Sequence, residues 1–168
     1  GDSVYVEREH GDLVKGGDTK GVADPEREEV PGRPSRDGNT YLTALISSPA
    51  EGRVVVAATD RSTRQHRFTR ELRLGVEVFG LNLLDTDQAG IIYLGAMVMN
   101  GTGPDGSKPG VLLLCLDPRD GTPLGRADLP PNLGPEETVR ELTVLDQGGV
   151  LYLQRTEEGA SLTRWDCR

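Results

Sequence analysis

The stretch Asp85-Thr86-Asp87-Gln88-Ala89-Gly90 sets two carboxylates two residues apart, the spacing with which loops offer oxygens to a hard cation such as calcium. A complete loop of that kind continues the alternation and adds a distal carboxylate. Gln88 and Ala89 interrupt the run, and no Glu stands at the required distance. A hairpin turn is therefore expected and no metal site; Asp85 and Asp87 are the residues that would have to form one. Arg61, Arg64, Arg67, Arg70 and Arg73 recur every three residues. On a helix they would make a cationic stripe beside His66, suited to phosphate or nucleic acid. The segment nevertheless alternates as a strand does, with His66, Phe68, Arg70, Leu72 and Leu74 on one set of positions. A solvated or salt-bridged rim strand is the expectation, and an acidic protein is the partner such a rim would suit.

Nucleophilic chemistry finds no support. His10 and His66 have no Ser or Cys neighbour, and the chain has no Gly-x-Ser-x-Gly elbow and no phosphate-cradling glycine loop. No catalytic and no cofactor-binding residue is assigned. Cys115 and Cys167 could close one disulfide in an oxidising compartment or stand as two thiols. Sequence does not give their distance, and two separate thiols are expected. Asn100-Gly101-Thr102 is a glycosylation acceptor only in a eukaryotic secretory pathway and is otherwise a turn.

The composition narrows the classes further. The 168 residues suffice for one ordinary domain. A net charge of -8 disfavours a nucleic-acid surface and an anionic membrane. No apolar run approaches the roughly 20 residues that span a bilayer. No signal peptide is read at the start, and because the chain opens on Gly1 a leader or tag is expected to have been removed already. Among the 19 basic residues only Lys15, Lys20 and Lys108 are lysine, an arginine bias that points to a GC-rich bacterial genome.

The elements that must position these residues form a repeat. LTVLDQGGVLYLQRTEEGASLTRWD, 142–166, reads as strand, Gln-Gly-Gly turn, strand, Glu-Glu-Gly turn, strand. LNLLDTDQAGIIYL, 81–94, repeats its first half with Thr86 and Asp87 inserted, and GVLLLCLD, 110–117, repeats its end. GDSVYVEREHG and GDLVKGGD, 1–18, fit as well; DGNTYLTAL, 37–45, and GRVVVAATD, 52–60, fit more loosely. Aligned in this way, Tyr5, Tyr41, Tyr93 and Tyr152 fall at one point of one strand, and Asp18, Asp60, Asp117 and Asp166 end the next. The tyrosines are 36, 52 and 59 residues apart. Units of this length, built from short strands and glycine turns, predict propeller blades over about 1–30, 31–75, 76–131 and 137–168. Each blade should hold an inner strand, a Tyr strand, a strand ending in Asp and a rim strand. VLLLCLDPRDGTPLGRADLP, 111–130, is the third and fourth strands joined by an Asp-Pro-Arg-Asp-Gly turn. Surface loops are expected over 16–38, 100–110 and 129–138.

The pattern resembles the repeats of pyrroloquinoline-quinone-like β-propellers over two thirds of the chain. Gly149, Val150, Tyr152, Leu153, Gly159, Leu162, Trp165 and Asp166 carry it in the last copy; Gly90, Ile91, Tyr93, Gly110, Leu113, Leu116, Asp117 and Gly121 carry it in the third. The resemblance implies an all-β propeller fold. Quinone enzymes of that kind add a Trp stacked at the ring axis, a calcium site and often adjacent cysteines. This chain has one Trp, Trp165, at a position filled by Leu116 in the third copy, and its cysteines are far apart. Trp165 is therefore expected to pack.

The first copy lacks an inner strand and the last lacks a rim strand, so the chain is expected to be part of a larger propeller or to be completed by another chain. The expected function is non-catalytic: a binding or scaffolding propeller for a protein partner, with no cofactor, in the periplasm, on the cell surface or secreted. The alternatives are a quinone- or calcium-dependent propeller enzyme and a cell-surface or pilus-associated adhesin. Fold alone does not choose among them.

Overall fold

A computed structural model describes residues 5–7, 13–15, 33–100, 108–130, 132 and 141–167. Among the described residues every element is a strand. β1 (Tyr5–Glu7) and β2 (Leu13–Lys15) form an antiparallel pair. β3 (Arg33–Pro34), β4 (Thr40–Ser48), β5 (Arg53–Asp60) and β6 (His66–Arg73) form a four-stranded sheet in chain order. β7 (Glu77–Thr86), β8 (Ile92–Asn100), β9 (Lys108–Leu116) and β10 (Pro123–Leu129) form a second. β11 (Leu142–Val144), β12 (Val150–Thr156) and β13 (Gly159–Trp165) form a third, with three strands. All pairings are antiparallel, as short glycine-containing turns permit.

The β7–β10 sheet is the centre of the stack. On one face Ile92, Leu94, Ala96, Val98, Leu112, Leu114 and Leu116 meet Leu42, Val54, Val56, Ala58, Phe68 and Leu72 of the β3–β6 sheet. On the other face Tyr93, Val111, Leu113 and Cys115 meet Leu142, Val144, Val150 and Tyr152 of the β11–β13 sheet. Side chains alternate between faces, so a strand covered on both sides must be apolar at every position. That is why 111–116 reads VLLLCL without a polar break. The outer sheets alternate instead: β5 buries every second residue. Each fully buried Leu, Ile or Val removes about 1.5–3 kcal/mol worth of apolar surface from water.

Turn closure fixes which face each residue takes. Ser35 N–H donates to Thr40 O, Asp87 N–H to Ile91 O, and Leu145 N–H to Gly149 O. Tyr41 follows its closing residue by one position, Tyr93 by two and Tyr152 by three. Tyr93 therefore faces the following sheet, whereas Tyr152 faces the preceding one, and Tyr41 lies opposite Leu42, which faces the central sheet. The expected common register of the tyrosines is thus corrected for these three: a slip of one residue reverses the face, and the turns differ by one. Counted from turn closure, the even position Leu42 of the first unit faces the central sheet, the odd positions Val150 and Tyr152 of the last unit face it from the other side, and in the central unit Ile92 (odd) and Tyr93 (even) face the sheets before and after it. Tyr5 begins β1 and pairs with Lys15; Asp18 and His10 lie outside the described residues.

Two expected loops are shorter than read. β3 lies inside 16–38, and β9 begins at Lys108, with Pro109 opposite Met99. The cysteines correct a second expectation. Cys115 and Cys167 form a disulfide with Cα atoms 5.9 Å apart. Trp165, the last residue of β13, and Cys167, two residues beyond it, both pack against the cluster between this sheet and the central one. The approach requires Gly125 on β10, where a Cβ would stand 2.7 Å from Cys167 O. The bond links positions 52 residues apart. Loop-closure entropy for that separation corresponds to about 4 kcal/mol. Reduction with dithiothreitol should lower the unfolding free energy by roughly that amount, read from denaturant midpoints. Superimposable oxidised and reduced curves would contradict the pairing.

Candidate functional site

The turns that join each inner strand to its neighbour gather at one end of the stack: residues 35–40, 87–91 and 145–149. Arg36 stands between them. Its backbone N–H donates to Thr86 Oγ1 at 2.8 Å and its guanidinium to Val144 O at 2.7 Å. The same guanidinium pairs with Asp85 at 3.4 Å and with Asp146. One side chain thus bridges all three sheets. The ion pairs are partly solvated and worth little singly, about 0–1 kcal/mol. The bond to a strand carbonyl, aimed by a charged donor, sets the geometry.

Behind Arg36 lies a buried polar chain. Asp87 is 4% exposed. Its Oδ1 accepts from Ile91 N–H at 2.9 Å and its Oδ2 from Tyr93 Oη–H at 3.0 Å. Tyr93 Oη in turn accepts from Gly149 N–H at 2.8 Å. Gln88 N–H adds a bond to Asp146 O at 3.1 Å. Gly149 has φ 87°, and a Cβ there would meet Asp166 Oδ1 at 2.6 Å, so this junction admits only glycine. Burial, first, and the Asp87 carboxylate raise the Tyr93 phenol above its ordinary value, so it stays a donor.

Asp85 and Asp87, the residues that would have had to bind calcium, are separated by this arrangement. Asp85 turns to Arg36 and to its neighbour's N–H on Thr86, while Asp87 turns inward to Tyr93. Among the described residues no group of three or more His, Cys, Asp or Glu is placed to hold a metal ion. Tyr152 Oη donates to Pro130 O at 2.7 Å, and the Arg61 guanidinium lies 5.9 Å from the Tyr41 ring centroid. Trp165 packs on the Tyr93–Tyr152 cluster, opposite Val150, as Leu116 lies opposite Ile92.

The strand-ending aspartates have a turn chemistry. Asp60 Oδ1 accepts from Ser62 N–H at 3.0 Å and Thr63 N–H at 2.9 Å, and Oδ2 takes Arg67 at 2.7 Å. Asp117 Oδ1 accepts from Arg119 N–H at 2.8 Å, and its Oδ2 pairs with the Arg119 guanidinium at 2.6 Å. Such side chains imitate a backbone turn. Asp166 pairs with Arg164 at 2.8 Å. The Arg119 guanidinium, then its N–H, holds the Asp117 carboxyl at about 2; the Thr63 N–H, then Arg67, hold Asp60 well below the carboxylate range. The arginine series is used in the same way. Arg67 binds Asp60, Arg70 reaches Thr122 and Asp120 on the next sheet, and Arg73 pairs with Glu71. His66 bonds Thr69 Oγ1 at 3.1 Å.

Sequence reasoning missed Arg36. Its only signal was a place in a Ser-Arg-Asp-Gly-Asn turn, and a turn shows nothing of what its side chains reach. Compared with family models, curated proteins and solved structures, the chain matches none.

Replacing Tyr93 with Phe strands the Gly149 N–H and one Asp87 oxygen, and should cost about 1–3 kcal/mol of stability. Chemical denaturation checks this; a change under about 0.5 kcal/mol would show that the chain carries no load. The depressed Asp117 carboxyl stabilises the fold above its unfolded value of 3.8, and that contribution is lost as pH falls through its folded value of about 2. Thermal midpoints should therefore fall from pH 4 toward pH 2, less steeply for Asp117→Asn. Equal slopes for the two proteins would contradict the assignment.

Proposed function

We propose that the chain is a non-catalytic, protein-binding module of β-propeller type that works outside the cytoplasm. The observation that supports this reading is the state of the shared end, where three turns bring polar side chains together. Arg36, Asp85, Asp87, Tyr93 and Asp146 are spent on one another and on backbone groups of three sheets. Their work is to hold the stack. Oxygens engaged in this way are not offered to a cation at that end. The propeller reading is supported by the meander order of the strands within each sheet and by the face-to-face packing of consecutive sheets. The described sheets do not close a ring. The Cys115–Cys167 bond supports an oxidising compartment.

A scaffold must offer surface. Among the described residues Leu45, Phe79, Leu124 and Leu162 are the large apolar side chains left most exposed, from 46% to 63%. A photo-cross-linking residue at each of the four sites, in the native host, should yield a discrete adduct with another protein from at least one. No adduct from any of them would sink the binding reading.

A further inference from the structure

Three strands form the outer edges of the sheets. Proteins guard such edges with charge, proline or bulges, because a free edge recruits other strands. β6 carries Arg67, Arg70, Glu71 and Arg73 along its length. β10 starts with Pro123, has a register shift between Pro123 and Gly125, and carries Arg126 and Asp128. β13 differs. It pairs with β12 without interruption from Thr156↔Gly159 to Val150↔Trp165. It has no proline, and from Gly159 to Thr163 it has no charge. Its residues are exposed from Gly159 to Arg164, with Leu162 at 63%. Its sheet also has one strand fewer than the two sheets before it.

We propose that the β13 edge is a strand-addition site for an extended segment of a partner protein, running antiparallel to β13 as β10 does to β9. This rests on the binding-module reading above and names its contact. Main-chain bonds would supply affinity and side-chain pockets specificity. Leu151, Leu153 and Leu162 share the outward face, since Leu153 pairs with Leu162, so the incoming strand should carry apolar residues on that side. Its C-terminal end would lie beside Glu157 and Glu158, which make no ion pair among the described residues. That end should carry Lys or Arg. Two other occupants fit less well. A second copy paired antiparallel about Leu162 would set Glu158 against Asp166, like charge on like. The chain's own segment 18–32 carries Asp18, Asp24, Glu26, Glu28 and Glu29 and two prolines, which suit neither the acidic turn nor a ladder.

The test is amide hydrogen exchange on the full chain, with and without the peptide Thr-Val-Thr-Val-Thr-Lys-Arg. Added peptide should slow the β13 amides. A backbone N-methylated peptide should give no protection, and Glu157→Lys with Glu158→Lys should weaken binding about tenfold. No protection by the peptide overturns the proposal. So does protection already present in the peptide-free monomer at the β13 amides that do not bond to β12, which would show the chain's own segment on the edge. Protection that rises with protein concentration alone, together with a dimer in sedimentation, would show a second copy there and overturn it too. Cross-links from Leu45, Phe79 or Leu124 without one from Leu162 would leave the binding reading standing and remove this site.

Discussion

The two middle strands of the central sheet, β8 and β9, are covered on both faces, and the rest of the stack answers to that. A strand with two covered faces must present apolar side chains in both directions, and its turns must then satisfy every polar group where the sheets end. β8 and β9 meet the first demand with Ile92, Leu94, Leu112, Leu114 and Leu116 on one side and Tyr93, Leu113 and Cys115 on the other. Gly95 shows how close the layers come. A Cβ there would stand 2.8 Å from Leu83 Cβ and 3.0 Å from Leu142 Cδ1.

The second demand explains the polar end. Three turns converge there, and burying them unpaired would be costly. The chain meets this with few groups that each serve two or three sheets. Arg36 reaches Asp85, Asp146 and Val144 O; Tyr93 joins Asp87 to Gly149 N–H. Such a network holds the three sheet ends in one arrangement. At the rim, Arg70 fastens β6 to the Asp117–Thr122 turn, and the Cys115–Cys167 bond fastens the last sheet in the corresponding place. Both links join one sheet to the next, so the stack resists sliding.

Much of the fold was legible because strand periodicity is local. The alternation of Phe68 and Leu72 with charges gave a rim strand, and Asp-Pro-Arg-Asp-Gly gave the hairpin between β9 and β10. What failed was register. Tyr is common in strands, and matching tyrosines by letter aligned residues that face opposite ways. Turn closure decides the face, and it is set by hydrogen bonds from Ser35, Asp87 and Leu145 that composition does not reveal. The disulfide and the Arg36 bridge were hidden for a related reason: each joins residues more than forty positions apart, and distance in space is not written in spacing. Asp85 and Asp87 have the spacing of ligands, but the structure gives them different partners, Arg36 for Asp85 and the buried Tyr93 for Asp87.

The doubly covered strands β8 and β9 hold the stack together. Native-state hydrogen exchange across a denaturant series tests this most directly. The amides of β8 and β9 should exchange only through global unfolding, while those of β13 exchange through a smaller opening at lower free energy. Exchange of β8 and β9 as easy as that of β13 would show three sheets that open independently, and would contradict the account.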